Sequence, residues 1–159
     1  MYFNGMTGRI ALLFHRLQPY PKGEAPRMSA ADRPPPGEPV LRAIAMPADT
    51  NPNGDIFGGW LLAQMDLAGG SLASQRSKGR VATVAVEAMT FHLPVHVGDE
   101  VSCYCEVVKV GRTSMTIRVE TWTRKRESAE RIKVTQGVFT YVAIGTDRRP
   151  RPVDAGGAA

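Results

Sequence analysis

One carboxylate stands apart from every other chemically capable residue by its surroundings. The segment GWLLAQMDLAGGSLASQ, residues 59–75, is apolar or small throughout and carries a single charge, Asp66. At 3.6 residues per turn, Leu61, Met65, Ala68 and Leu72 share one face, and Gly59, Ala63, Asp66, Gly70 and Ala73 share the other. A solvated helix face carries Lys and Glu, so this pattern predicts a helix buried all round, with Gly and Ala leaving room for another backbone or a thin ligand. No basic residue lies at i±3 or i±4 of Asp66. Burying an unpaired acid is costly, which leaves two explanations: Asp66 does chemistry, or it pairs through the fold with a residue distant in sequence.

Other residues offer less. His92 and His96 flank Pro94 in a turn-like stretch, where a lone His is more often structural than catalytic. Cys103 and Cys105 sit at i and i+2 in a strand-like run, a spacing that disfavours a mutual disulfide and lacks the further Cys or His that a metal would need. Neither a metal nor a cofactor is therefore expected. No G-x-S-x-G nucleophile elbow is present. Trp60 and Trp122 are expected to pack in a core or an interface.

The elements that must position Asp66 fit one domain. The chain has 159 residues, 43% hydrophobic and 22% charged, which are globular proportions. No apolar run is long enough to span a bilayer, and the patch at residues 10–14 lacks a cleavage site, so neither a membrane segment nor a signal peptide is expected. Reduced thiols point to the cytoplasm. The net charge of +5 gathers at Arg124–Lys125–Arg126, at Arg131 and Lys133, and at Arg148, Arg149 and Arg151, which suits a polyanionic ligand or a solvated surface equally.

Residues 1–39 form a Pro-rich arm without periodicity, expected to be disordered, and Met28 would make a cleaner start than Met1. The folded domain is expected over residues 40–153, with a flexible tail at 154–159. A short strand from Val40 leads through a turn-rich stretch to the helix. Strand-like runs follow at 81–93, 99–110, 113–123 and 131–144. Their breaks predict turns between neighbouring antiparallel strands, a meander of four. The layout is α+β: a curved antiparallel sheet wrapped around a central helix, whose remaining face a second subunit can close.

Four strings in order, AMPADTNPNGDIFGGWLLAQMDLAGG, VATVAVEAMTFHLPVHVGDEV, VGRTSMTIRVETW and VTQGVFTYVAI with RPRPV, resemble the bacterial acyl-CoA thioesterases of the YciA type, which have the hotdog fold. The resemblance runs from about Val40 to Val153. It implies hydrolysis of acyl-coenzyme A to free acid and coenzyme A at sites formed between two subunits, in a homodimer or a hexamer built as a trimer of dimers. The acid of the Gln-Met-Asp motif, here Asp66, is implied as the catalytic carboxylate, acting as general base or nucleophile. Asp55, in the Asn-Gly-Asp turn, is the other acid brought toward the site; a capping or Asx-turn role suits it equally.

Gly58 and Gly59 lie where the helix begins, and their unpaired N–H groups could polarise the thioester carbonyl. Seven residues separate Gly59 from Asp66 and put them on nearly the same face, as if both addressed one groove. The Gly-Arg-Thr-Ser string resembles the family's nucleotide-side loop. Arg112 is then the expected phosphate contact, with Thr113 and Ser114 beside it, against the alternative of an exposed hairpin arginine.

Two rivals are weaker. A hotdog hydratase or dehydratase would need a His with an acid on the helix, and a non-catalytic acyl-CoA binder would keep the fold without turnover. Nucleic-acid binding lacks both a helical reading domain and aromatic-rich basic strands, and no membrane partner is expected.

Overall fold

The apolar segment forms one long helix in the computed structural model, which describes residues 33–155; the expectations for residues 1–32 and 156–159 lie outside the described residues. The elements are β1 (Leu41–Ile44), a short 3-10 turn (Pro47–Asp49), α1 (Gly58–Ser77), β2 (Val81–Phe91), β3 (Glu100–Val110), β4 (Ser114–Arg124) and β5 (Arg131–Ala143).

Local chemistry sets both ends of α1. Before it, the Asn51 side chain accepts from the N–H groups of Asn53 (2.9 Å) and Asp55 (3.2 Å), and Gly54 takes a φ of 88°, so the chain doubles back and Thr50 bridges Ile56. Phe57 is the N-cap and supplies no side-chain acceptor. At the other end Lys78 adopts a left-handed φ of 52°, and Gly79 N–H returns to the Ser74 carbonyl at 3.1 Å, which closes the last turn.

The strands form one antiparallel sheet in the order β1-β3-β4-β5-β2. This corrects the four-strand meander. Only β3, β4 and β5 are successive neighbours, whereas β2 lies at the far edge beside β5. Residues 92–99 are therefore a crossing, tied to the helix entrance where Ile56 N–H donates to the Val95 carbonyl (3.1 Å). Alternation tells which side chains face the core but not which strand supplies the hydrogen bonds, so the pattern alone could not place β2.

The sheet curls around α1 and buries one stripe of it, through Leu61, Met65, Ala68, Gly69 and Ala73. Met65, Ala68 and Ala73 pack with Met115, Ile117, Val119, Phe139 and Tyr141; Leu61 belongs to a second cluster with Ile56, Val95, Val101 and Val134 near the helix entrance. The helix is not buried all round within one chain: Leu67 keeps 60% of its surface and the neighbouring β2 residue Val84 keeps 58%. A five-stranded sheet covers only one side of a helix, and the flank between α1 and β2 stays open. On the sheet's outer face, Pro35 and Pro36 line a hollow with Tyr104, Arg118 and Glu120.

Candidate active site

Asp66 sits in the middle of α1, on the flank facing the β2–β5 edge of the sheet. Two hydroxyls hold it. Thr83 on β2 donates to Oδ1 at 2.7 Å, and the Tyr141 hydroxyl on β5 lies 3.2 Å from the same Oδ1 and 3.1 Å from the Asp66 backbone carbonyl. Thr83 and Tyr141 are register partners across the β2–β5 ladder, which sets both side chains on the helix side. The register slips directly after Thr83, leaving Val84 without a register partner. Gly69, one turn beyond Asp66, makes the approach possible: a Cβ there would overlap the Tyr141 hydroxyl.

Among the described residues, no Lys or Arg lies within ion-pair distance of Asp66. Of the two explanations, partnering through the fold is what the geometry shows, and the partners are neutral hydroxyls, not a cation. Asp66 Oδ2 accepts no hydrogen bond among the described residues and is not sealed from solvent. The site thus presents a fixed carboxylate with one free oxygen. Burial, then the nearby charge of Asp66, pushes the Tyr141 phenol far above its ordinary value, so it remains a donor at any working pH.

The other expected site residues lie toward the two ends of the helix. Gly58 and Gly59 are exposed in the first turn, and their N–H groups find no acceptor among the described residues. Asp55 stands in the loop before them, its Oδ1 3.7 Å from His96 Nδ1. At 1.5 Å rise per residue, Gly59 is about 10 Å along the axis from Asp66. One chain therefore does not bring the acid and these donors to a single carbonyl.

The Arg112–Ser114 hairpin lies at the opposite end. Its Thr113 carbonyl accepts from Ala143 N–H (2.9 Å) and its Arg112 carbonyl from Val153 N–H (2.9 Å), while Arg151 of the same tail donates to the Ser77 carbonyl at the helix terminus (2.8 Å). The Arg112 side chain is exposed. No cluster of metal-ligating side chains occurs among the described residues.

Comparison with known proteins matches this arrangement to a family. The thioesterase superfamily matches residues 53–130. The acyl-CoA thioester hydrolase YciA of Salmonella typhimurium is 53% identical over 133 residues, which span 82% of this chain and 100% of that protein. The chain belongs to the YciA-type acyl-CoA thioester hydrolases of the hotdog-fold superfamily. Solved members of this family superpose well. A hexameric thioesterase from Yersinia pestis shares 52% identity and a TM-score of 0.72, covering 77% of this chain and 99% of its own. A hexameric broad specificity acyl-coenzyme A thioesterase gives 48% identity and a TM-score of 0.72, covering 80% and 88%.

Within this YciA-type chain, Thr83 and Tyr141 are the site residues that sequence reasoning missed. A single Thr or Tyr in a strand is unremarkable until the strand's register is known. The signal available was indirect: Gly69 and Gly70 follow Asp66 on the helix and mark a close approach by something.

Proposed function

We propose that this chain hydrolyses acyl-coenzyme A thioesters to a carboxylic acid and coenzyme A, with Asp66 as the catalytic carboxylate and each site shared between two copies of the chain. The observation that carries the reading is an Asp66 carboxylate held by two hydroxyls, uncompensated by any cation among the described residues, with a free oxygen beside an open apolar flank. A thioester carbonyl lacks the resonance protection of an amide, so one base and a polarised carbonyl suffice. Asp66 Oδ2 takes a proton from water as the water oxygen adds to the carbonyl carbon; alternatively it adds directly and gives an anhydride that water then opens. In either case the carbon–sulfur bond breaks: in the first route the proton taken by Asp66 passes to the departing sulfur, and in the second coenzyme A leaves as the thiolate and takes up the proton released when water opens the anhydride.

The oxyanion formed in that step needs donors within about 3 Å. Gly58 and Gly59 carry free N–H groups at a helix N-terminus, where the dipole favours negative charge. Since they are too far along the axis from Asp66 of their own chain, they serve the Asp66 of a neighbouring copy. Leu67, next to Asp66 in the helix, and Val84, next to Thr83 in β2, are exposed and supply apolar area for that copy to cover. The hexamers of the solved relatives support the same assembly here. Arg112 lies at the far end of the helix and is free to meet the phosphates, which the long pantetheine arm separates from the thioester. Asp55 borders the donor end and orients that loop.

The two free cysteines fit a cytoplasmic enzyme. A hydratase reading is disfavoured because His96 stands by Asp55, and no His bonds to Asp66 among the described residues.

Thiol release from acyl-coenzyme A, followed with a thiol-reactive dye across chain lengths, tests the proposal. Burial raises the Cys103 thiol to about 11 and the Cys105 thiol to about 12, so the folded protein contributes little background. Steady turnover supports the reading, and stoichiometric binding without thiol release would make the chain a non-catalytic binder.

A further inference from the structure

We propose that Tyr141 is a positioning residue for the hydrolysis: its hydroxyl ties the Asp66 carboxylate to the carbonyl of the same residue and so presents Oδ2 to the reacting carbonyl. The inference rests on the catalytic assignment of Asp66 above. Its ground is geometric. The Tyr141 oxygen lies 3.1 Å from the Asp66 carbonyl and 3.2 Å from Oδ1, so one proton is shared between the two. An Asp side chain in a helix can swing among rotamers. A donor lodged between its carboxylate and its own backbone removes that freedom.

Packing does not account for the hydroxyl. The ring lies in the core with 1% of its surface exposed and stacks on Phe139 at 6.3 Å between centroids, work that a phenylalanine would do as well. The oxygen instead enters the space left by Gly69, where any side chain would displace it. Thr83 secures Oδ1 from the solvent side at 2.7 Å, and Tyr141 secures it from the core side. With Oδ1 held from two directions, Oδ2 is the oxygen left to act.

The test is a double-mutant cycle on acyl-coenzyme A hydrolysis, with melting temperature recorded for each variant. Tyr141→Phe should lower kcat about tenfold with KM changed less than about twofold, since a donor to a charged group is lost and no substrate contact is removed. In the Asp66→Asn background the same substitution should cost no further activity, because there is no carboxylate left to position. Gly69→Ala, which keeps Tyr141 but displaces its oxygen, should show the same split between kcat and KM. A Tyr141→Phe enzyme with unchanged kcat, or an equal loss repeated on top of Asp66→Asn, would overturn the proposal while leaving Asp66 in place. If Asp66→Asn itself retained wild-type turnover, both the catalytic assignment and the positioning role would fall.

Discussion

Neutral donors hold Asp66, and this sets what each residue around it can do. A cation beside the carboxylate would occupy its free oxygen, whereas Thr83 and Tyr141 fix the group and leave Oδ2 available. Asp66 was legible in the sequence because a lone acid on an apolar helix has no local partner, and because the Gln-Met-Asp motif marks the same position. Its two hydroxyl partners were not legible: they lie 17 and 75 residues away, and only the β2–β5 register joins them. At this scale Arg112 carries its own prediction. Its exposed side chain stands at the far end of α1 from Gly58, so Arg112→Ala should raise KM for acyl-coenzyme A about tenfold with kcat nearly unchanged, and should matter little for a short thioester lacking the nucleotide. Steady-state kinetics on both substrates checks this. An equal loss on both would place Arg112 in the reaction centre or the fold.

The helix and strands were legible to within two residues at most of their ends because each has a period, and because breaks such as Gly111 between β3 and β4 separate the strands. Their order in the sheet was not. A strand that follows a helix can return to either edge, and the apolar alternation of β2 satisfies the core from both. The bulge at Val84 was invisible for the same reason: it depends on β5 as a partner. Element pairing also predicts a pH effect on stability. Across the β3–β4 ladder, Arg124 donates twice to Glu100, at 2.9 and 3.3 Å, and those hydrogen bonds hold the Glu100 carboxyl below its ordinary value of 4.5. A carboxyl lowered in the folded state stabilises the protein above about pH 4.5 and loses that contribution as pH falls through the folded value. Glu100→Gln should therefore lower the melting temperature at pH 7 by up to about 4 °C, and the gap should close as pH falls below 4.5 and through the lowered folded value. A gap that persists or widens in acid would mean the pair is not the cause.

For the whole molecule, the open flank of α1 and the separation of Asp66 from the helix entrance ask for a second copy. Mixing two defective chains tests sharing of the site. Gly58→Pro removes one N–H at the first helical position, where proline is tolerated and where Phe57, with a ψ of 128°, already has the conformation that precedes a proline. Co-assembled with Asp66→Asn chains, it should restore about a quarter of wild-type turnover, because random pairing rebuilds one intact site in half the dimers. No recovery would place acid and donors on one chain. The role of Asp66 is decided by Asp66→Asn alone, with kcat for acyl-coenzyme A hydrolysis and melting temperature measured on one preparation. Asn keeps the size and can still accept from Thr83 and Tyr141, so the variant should be a folded oligomer of unchanged or higher melting temperature whose kcat falls at least about a hundredfold. A variant that melts clearly lower yet keeps most of its turnover would contradict the catalytic role and reduce Asp66 to a structural residue.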